Sequence, residues 1–187
     1  MLKIVQSPTK VLSEQAKPIA SLDKSVKHLL KEMEETLLHA TDPEGVGLAA
    51  PQIAKSVQIF IIKQSSRSPI LTFINPVIED FFDAPKVEEK TATKKEKKKG
   101  VQLEGCLSIQ DIWGVVKRKH GVILSYMDEN GDKHMKKFDG FMATIIQHEF
   151  DHLQGILFPK RVLEQANQLY KAHKTPKGEM EFEEISL

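Results

Sequence analysis

Apolar positions along this chain change period several times, and each change predicts an element. Between residues 21 and about 40, Val26, Leu29, Leu30, Met33 and Leu37 recur three or four apart, the spacing of one helix face. Ser21 is the expected N-cap, and Asp42-Pro43 with Gly45 the stop. The segment ahead of it is irregular, broken by Pro8 and Pro18. Residues 57–62 read as a strand. Residues 71–78 read as another, interrupted by Asn75-Pro76, which places it at a sheet edge or bends it there. Strand patterns return at 112–119, 121–127 and 133–138, the last two flanking an Asn130-Gly131 hairpin signal. A helix is predicted over 140–153, with Asp139 as N-cap and Gly155 as stop, and a last helix over about 161–173. The turn at Thr175-Pro176-Lys177-Gly178 then leads into an acidic tail able to form a strand.

One stretch has no apolar period. Residues 86–99 hold seven lysines and three glutamates, too little apolar surface to offset the entropy of ordering. This predicts a solvated surface insertion at about 83–100 within a single domain spanning 1–187, and a variable tail from about 174.

The chemistry lies on the 140–153 helix. Gln147-His148-Glu149-Phe150-Asp151-His152 contains His-Glu-x-x-His. At about 100° per residue, His148 and His152 lie about 40° apart in projection and share a face. That face also carries Phe141, Thr144 and Ile145, so the histidines continue an apolar stripe. Two imidazoles one turn apart can hold a divalent metal, and Glu149, about 60° round from His152, can take a proton from a water that the metal activates. A catalytic metal normally takes three protein ligands. The third is either Cys106 or a carboxylate, and spacing alone leaves both open. Four other histidines, His28, His39, His120 and His134, lack ligand spacing, while His173 reads as a helix-end surface residue.

Composition narrows the field further. The 187 residues are 40% hydrophobic and 28% charged, with a formal net charge of +1, which supplies no positive field for nucleic acid binding as the main task. A single cysteine excludes an internal disulfide and fits a reducing compartment. No run of about 18 apolar residues exists, so no membrane span is expected. The expected location is the cytoplasm of a bacterium, or an organelle for a mature form lacking its targeting peptide.

Three segments together carry a resemblance. Gly45-Val46-Gly47-Leu48-Ala49-Ala50-Pro51-Gln52, Glu104-Gly105-Cys106-Leu107-Ser108 and His148-Glu149-Phe150-Asp151-His152 resemble, in order, the three motifs of peptide deformylases. The likeness spans residues 4 to about 165. It implies an α+β fold with antiparallel sheets around a central metal-binding helix. It also implies hydrolytic removal of the N-formyl group from the formylmethionine of new polypeptides, with release of formate. Cys106, His148 and His152 would hold one divalent metal, Fe²⁺ in the cell, with Zn²⁺, Ni²⁺ or Co²⁺ as substitutes. Glu149 would be the general base, while Gln52 and the backbone N–H of Leu107 would hold the oxyanion. Gly47 would offer a backbone contact to substrate, and Val46, Phe141, Thr144 and Ile145 a pocket for the methionine side chain. Glu104 and Arg118 would form a supporting ion pair. The implied partners are N-formylmethionyl nascent peptides and, transiently, the ribosome, with no membrane and no specific nucleic acid.

The chain departs from the family pattern at Gln110, where proline is common, and at Trp113, where many bacterial members have arginine. The lysine-rich insertion and the tail after about His173 depart as well. The competing readings are a paralogue acting on another small amide or ester, a metalloendopeptidase, and a metal- or peptide-binding module without catalysis. Glu149 and Gln52 speak against the last, since structural metal binding needs neither.

Overall fold

The computed structural model describes residues 1–40, 44–84, 103–175 and 179–186. The predicted lysine-rich insertion, Asp42-Pro43 and most of the Thr175–Gly178 turn lie outside the described residues. Helix α1 spans Lys24–His39 and is capped by Asp23, whose carboxylate accepts from the N–H groups of Ser25 and Val26. The predicted cap Ser21 lies outside the helix. A carboxylate satisfies two orphan donors of the first turn and favours the positive end of the helix dipole.

Strands β1 (Gly47–Ala49), β2 (Ile59–Ile62), β3 (Leu71–Phe82), β6 (Gly121–Met127) and β7 (Lys133–Asp139) form one antiparallel sheet in the order β1-β2-β3-β6-β7. Strands β4 (Leu103–Cys106), β5 (Ile109–Val115), β8 (Leu169–Lys174) and β9 (Met180–Glu184) form a second, in the order β4-β5-β8-β9. Helix α2 (Gly140–Leu153) packs on β1, β2, β6 and β7, and α3 (Phe158–Glu164) on β4 and β5. This is the predicted α+β architecture. Phe60, Ile62, Phe73, Val122 and Leu124 of the first sheet bury against Ala143, Ile145 and Ile146 of α2. On the same sheet, Leu48, Ile59, Ile61 and Ile74 bury against Val26, Leu30, Met33 and Leu37 of α1.

Of the two alternatives expected for the Asn75-Pro76 strand, an edge position or a bend, the structure shows the bend. β3 is not an edge strand, since it lies between β2 and β6. It bends instead: Asn75 has φ 48°, and the register with β6 shifts between Ile74 and Val77. The shift absorbs the missing N–H of Pro76. Asp139 stands at the N-cap of α2 but makes no side-chain cap bond.

The predicted last helix stops at Glu164 and becomes β8. Gln165 exchanges side-chain hydrogen bonds with both the N–H and the carbonyl of Lys117, and Asn167 donates to the carbonyl of Val115. These bonds fasten the chain to the end of β5 and turn it into a strand that pairs with β5. His173 accordingly lies on β8, with Nε2 3.3 Å from Glu181, and closes no helix.

Candidate active site

Packing of α2 against the first sheet turns His148 and His152 towards the second. Cys106, at the end of β4, meets them there, its Sγ 3.2 Å from His152 Nε2. The two imidazole centroids are 5.0 Å apart, and the candidate donor atoms of Cys106, His148 and His152 all lie within 4.8 Å of one another. Among the described residues, the group that could hold a metal therefore has a cysteine beside the two histidines. A thiolate with two imidazoles suits a divalent transition metal, and three protein donors leave a position for water. His148 Nδ1 contacts Glu104 Oε2 at 3.2 Å, which fixes the ring and turns its other nitrogen to the cluster.

The protonation tendencies differ by site. Burial drives His152 well below the ordinary histidine value, which favours the neutral, ligating form. Burial also acts downward on His148, but the hydrogen bonds with Cys106 and Glu104 outweigh it and hold the ring well above that value. A cation entering the cluster must therefore displace a proton.

Glu149 is buried beside this cluster, and its Oε2 has no hydrogen-bond partner among the described residues. Burial pushes its carboxyl up to about 7, against the opposing pull of His148 and Arg118. A carboxyl poised near neutrality can both take and give a proton. Gly47 faces it so closely that a Cβ there would collide with the Glu149 carboxylate, so β1 must be bare at that point.

Gln52 sits in the short 3₁₀ turn after β1, fully buried. Its Oε1 accepts the N–H of Ala49 at 2.8 Å, so its amide NH₂ points the other way, 3.5 Å from Cys106 Sγ and 3.4 Å from Ser108 Oγ. That bond fixes which end of the amide is the donor. Leu107 follows Cys106 in the turn between β4 and β5.

Behind the cluster lies an ion-pair network. Arg118 donates from Nε and Nη2 to both oxygens of Glu104, at 2.8 and 2.9 Å, and from Nη1 to Asp151 at 2.6 Å. Arg161 donates to both oxygens of Asp151, at 3.1 and 2.7 Å. Burial acts to raise the carboxyl of Glu104, but His148 and Arg118 outweigh it and hold it down at about 2. The Glu104–Arg118 contact was anticipated. Asp151 and Arg161 were not, although Asp151 stands inside the motif itself.

A cavity of about 230 Å³ opens onto these groups. Val46, Gly47, Leu107, Phe141, Thr144 and Ile145 line it, together with Gln52, Cys106, His148 and Glu149. Every residue expected at the metal cluster, the catalytic positions and the pocket is thus brought to one place. Trp113 also lines it, which the sequence flagged only as a departure. Outside the site, His134 pairs with Asp128 at 2.7 Å and His120 packs near Phe82. The cavity lies between β1 and β4, which are terminal strands of their sheets among the described residues.

The family profile for polypeptide deformylase matches residues 1–168. The chain belongs to that family. Peptide deformylase 1 of Bacillus cereus is 34% identical over 164 residues, covering 87% of this chain and 92% of the relative. The crystal structure of a peptide deformylase from Thermotoga maritima superposes with a TM-score of 0.71 at 32% identity, covering 86% of this chain and 97% of that one. A Met-Ala-Ser-bound deformylase from Acinetobacter baumannii matches with a TM-score of 0.69 at 30% identity, covering 86% and 98%. The chain is accordingly a hydrolase that removes the N-formyl group from new polypeptides; its family is metal-dependent, and its own Cys106, His148 and His152 form a cluster that could hold a metal.

Proposed function

We propose that Cys106, His148 and His152 hold a single Fe²⁺ ion, with Zn²⁺, Ni²⁺ and Co²⁺ as working substitutes, and that Glu149 is the general base of deformylation. The observation that carries this is the buried Glu149 carboxyl, held near neutrality beside three convergent donors, with one oxygen unpaired. When bound, the metal supplies Lewis-acid polarisation and lowers the pKa of water. Glu149 takes the proton from the attacking water and passes it to the departing amine. The amide NH₂ of Gln52 and the N–H of Leu107 stabilise the oxyanion that develops on the formyl oxygen. Glu104, gripped by Arg118, orients His148.

The nascent peptide lies between the free edges of β1 and β4, with a backbone contact at Gly47. Its methionine side chain enters the pocket of Val46, Phe141, Thr144 and Ile145, where an unbranched thioether can follow an irregular wall. The small formyl group fits the narrow end, where bulkier acyl groups would meet Glu149 and Gln52. The enzyme works as one catalytic domain in the cytoplasm, meeting its substrates at the ribosome by transient contact. No helix among the described residues is long and apolar enough to cross a membrane.

The test is formate release from N-formyl-Met-Ala-Ser by anaerobically purified protein, beside Glu149→Ala with its metal content measured. Wild type should turn over, and the variant should keep its metal while losing about 10²–10⁴ in rate. No formate from fully metal-loaded wild type would overturn the assignment.

A further inference from the structure

Side chains of β4 alternate across the second sheet. Cys106 turns its Sγ to His152, and Glu104 turns its carboxylate to His148 and Arg118, so both face α2. Gly105 stands between them, faces the opposite way and has no side chain to offer there. The sheet register pairs it with Trp113 of β5. The next residue, Gly114, turns towards Phe158 and Val162 of α3, so Trp113 and Gly105 share the face away from the helices.

Trp113 fills the place that Gly105 leaves. A Cβ on Gly105 would come within 2.9 Å of the six-membered ring of the indole, so that ring leans over β4. Phe182 of β9 meets the indole edge-on, with centroids 6.0 Å apart and planes at 88°, a contact that restrains the ring. Trp113 nevertheless stays only half-buried. It lines the same cavity as Gln52, Cys106, His148 and Glu149, beside Leu103 and Gly105. The deformylation chemistry gives it no task.

We propose that Trp113 selects the second residue of the formyl peptide, favouring large apolar and aromatic side chains there over small ones. This rests on the deformylase reading, with the peptide at the free edge of β4. The methionine pocket takes Phe141, Thr144 and Ile145 from α2, so the methionine side chain points to the α2 face of the cleft. Successive side chains of an extended chain point to opposite faces. The second residue therefore turns to the face on which Trp113 covers Gly105. Its cross-strand neighbour on β4 is a glycine, and the side chain that it meets is the indole. A phenylalanine or leucine gains contact with that ring, and a glycine gains none.

The test compares kcat/KM for N-formyl-Met-Phe-Ser and N-formyl-Met-Gly-Ser in wild type, Trp113→Ala and Trp113→Phe, each loaded with the same metal. Wild type should favour the phenylalanine peptide about tenfold, mainly through KM, the scale of an aromatic pair. Trp113→Ala should bring the ratio to within about twofold of one, and Trp113→Phe should keep part of the preference. A smaller folded fraction lowers both rates alike and cancels in the ratio, so a merely structural role would not move it.

Trp113 is the only tryptophan in the chain, so its emission reports the contact without turnover. The product Met-Phe-Ser should reach half of its effect on that emission at several-fold lower concentration than Met-Gly-Ser. A wild-type ratio near one, or a preference that survives in Trp113→Ala, would overturn the proposal. Absence of formate from both peptides would instead overturn the deformylase reading. The titration with the two products would then decide on Trp113 by itself, and equal half-saturation would count against it.

Discussion

Replacing Arg118 with leucine removes a guanidinium that joins Glu104 of β4 to Asp151 of α2 behind the thiol–imidazole cluster. That group binds both oxygens of Glu104 and one of Asp151, and these side chains are nearly inaccessible to water. Asp151 would keep Arg161, whereas Glu104 would keep only His148. His148 and Arg118 together hold Glu104 at about 2, against an ordinary value of 4.5, so the shift, about 3 kcal/mol at about 1.4 kcal/mol per unit, is shared between them. Losing Arg118 also breaks a buried pair from one side, which costs ~3–5 kcal/mol. For a chain of this size the melting temperature should fall by about 10 °C.

The pH dependence carries the sign. A depressed carboxyl contributes its full stability above its unfolded value of 4.5 and loses it as pH falls through about 2. In wild type the acid limb of a stability–pH curve should therefore extend down towards pH 2. In Arg118→Leu it should begin at higher pH, because Glu104 then accepts a proton more readily. Thermal and urea unfolding between pH 2.5 and 8, on protein with matched metal content, measure both effects. A melting temperature within about 2 °C of wild type, with an unshifted acid limb, would refute the reasoning.

Gly47→Ala places a methyl group against the Glu149 carboxylate. It should cost about 1–3 kcal/mol of stability and reduce turnover by well over tenfold, as read by formate release and thermal melting side by side. Metal affinity should weaken as pH falls from 8 to 6, since His148 holds its proton well above the ordinary value and a cation must displace it. Competition with a chelator at the two pH values checks this, and equal affinities would contradict it. The Fe²⁺ form should lose activity in air through oxidation of the iron or of the Cys106 thiolate, with the Ni²⁺ form more durable. Prolonged aerobic storage followed by assay of both forms distinguishes them.

Local order was the most legible part of the chain. The motif on α2 is an i, i+4 pattern, and helix geometry alone puts His148 and His152 on one face. Cys106 could be set above a carboxylate as the third ligand only through family likeness, because no spacing rule relates a strand end to a helix more than forty residues later. Glu104–Arg118 came from the same likeness. Asp151 and Arg161 did not, because their pairing depends on how α3 docks beside α2, and many acidic and basic residues offered equal prospects in one dimension. Both Ser21 and Asp23 are good caps, and the choice fell to whichever could reach Ser25 and Val26. The last helix differs from expectation for a similar reason: Gln165 and Asn167 are satisfied by backbone groups at and just beyond the end of β5, which the local sequence does not contain. The contact of Trp113 with Phe182 had no signal at all before the second sheet was assembled.

The cleft is framed by strand edges of only three and four residues, β1 and β4. An unpaired edge invites any extended chain to dock, and in a crowded cell that is an aggregation hazard. In the proposed docking mode, the described edges are too short to template a lasting sheet but long enough to hold the first few residues of a peptide. Recognition through main-chain groups is indifferent to most side chains, so one catalyst can process a proteome of unrelated N-termini. The same brevity favours quick release, since few ladder bonds must break before the next chain can enter.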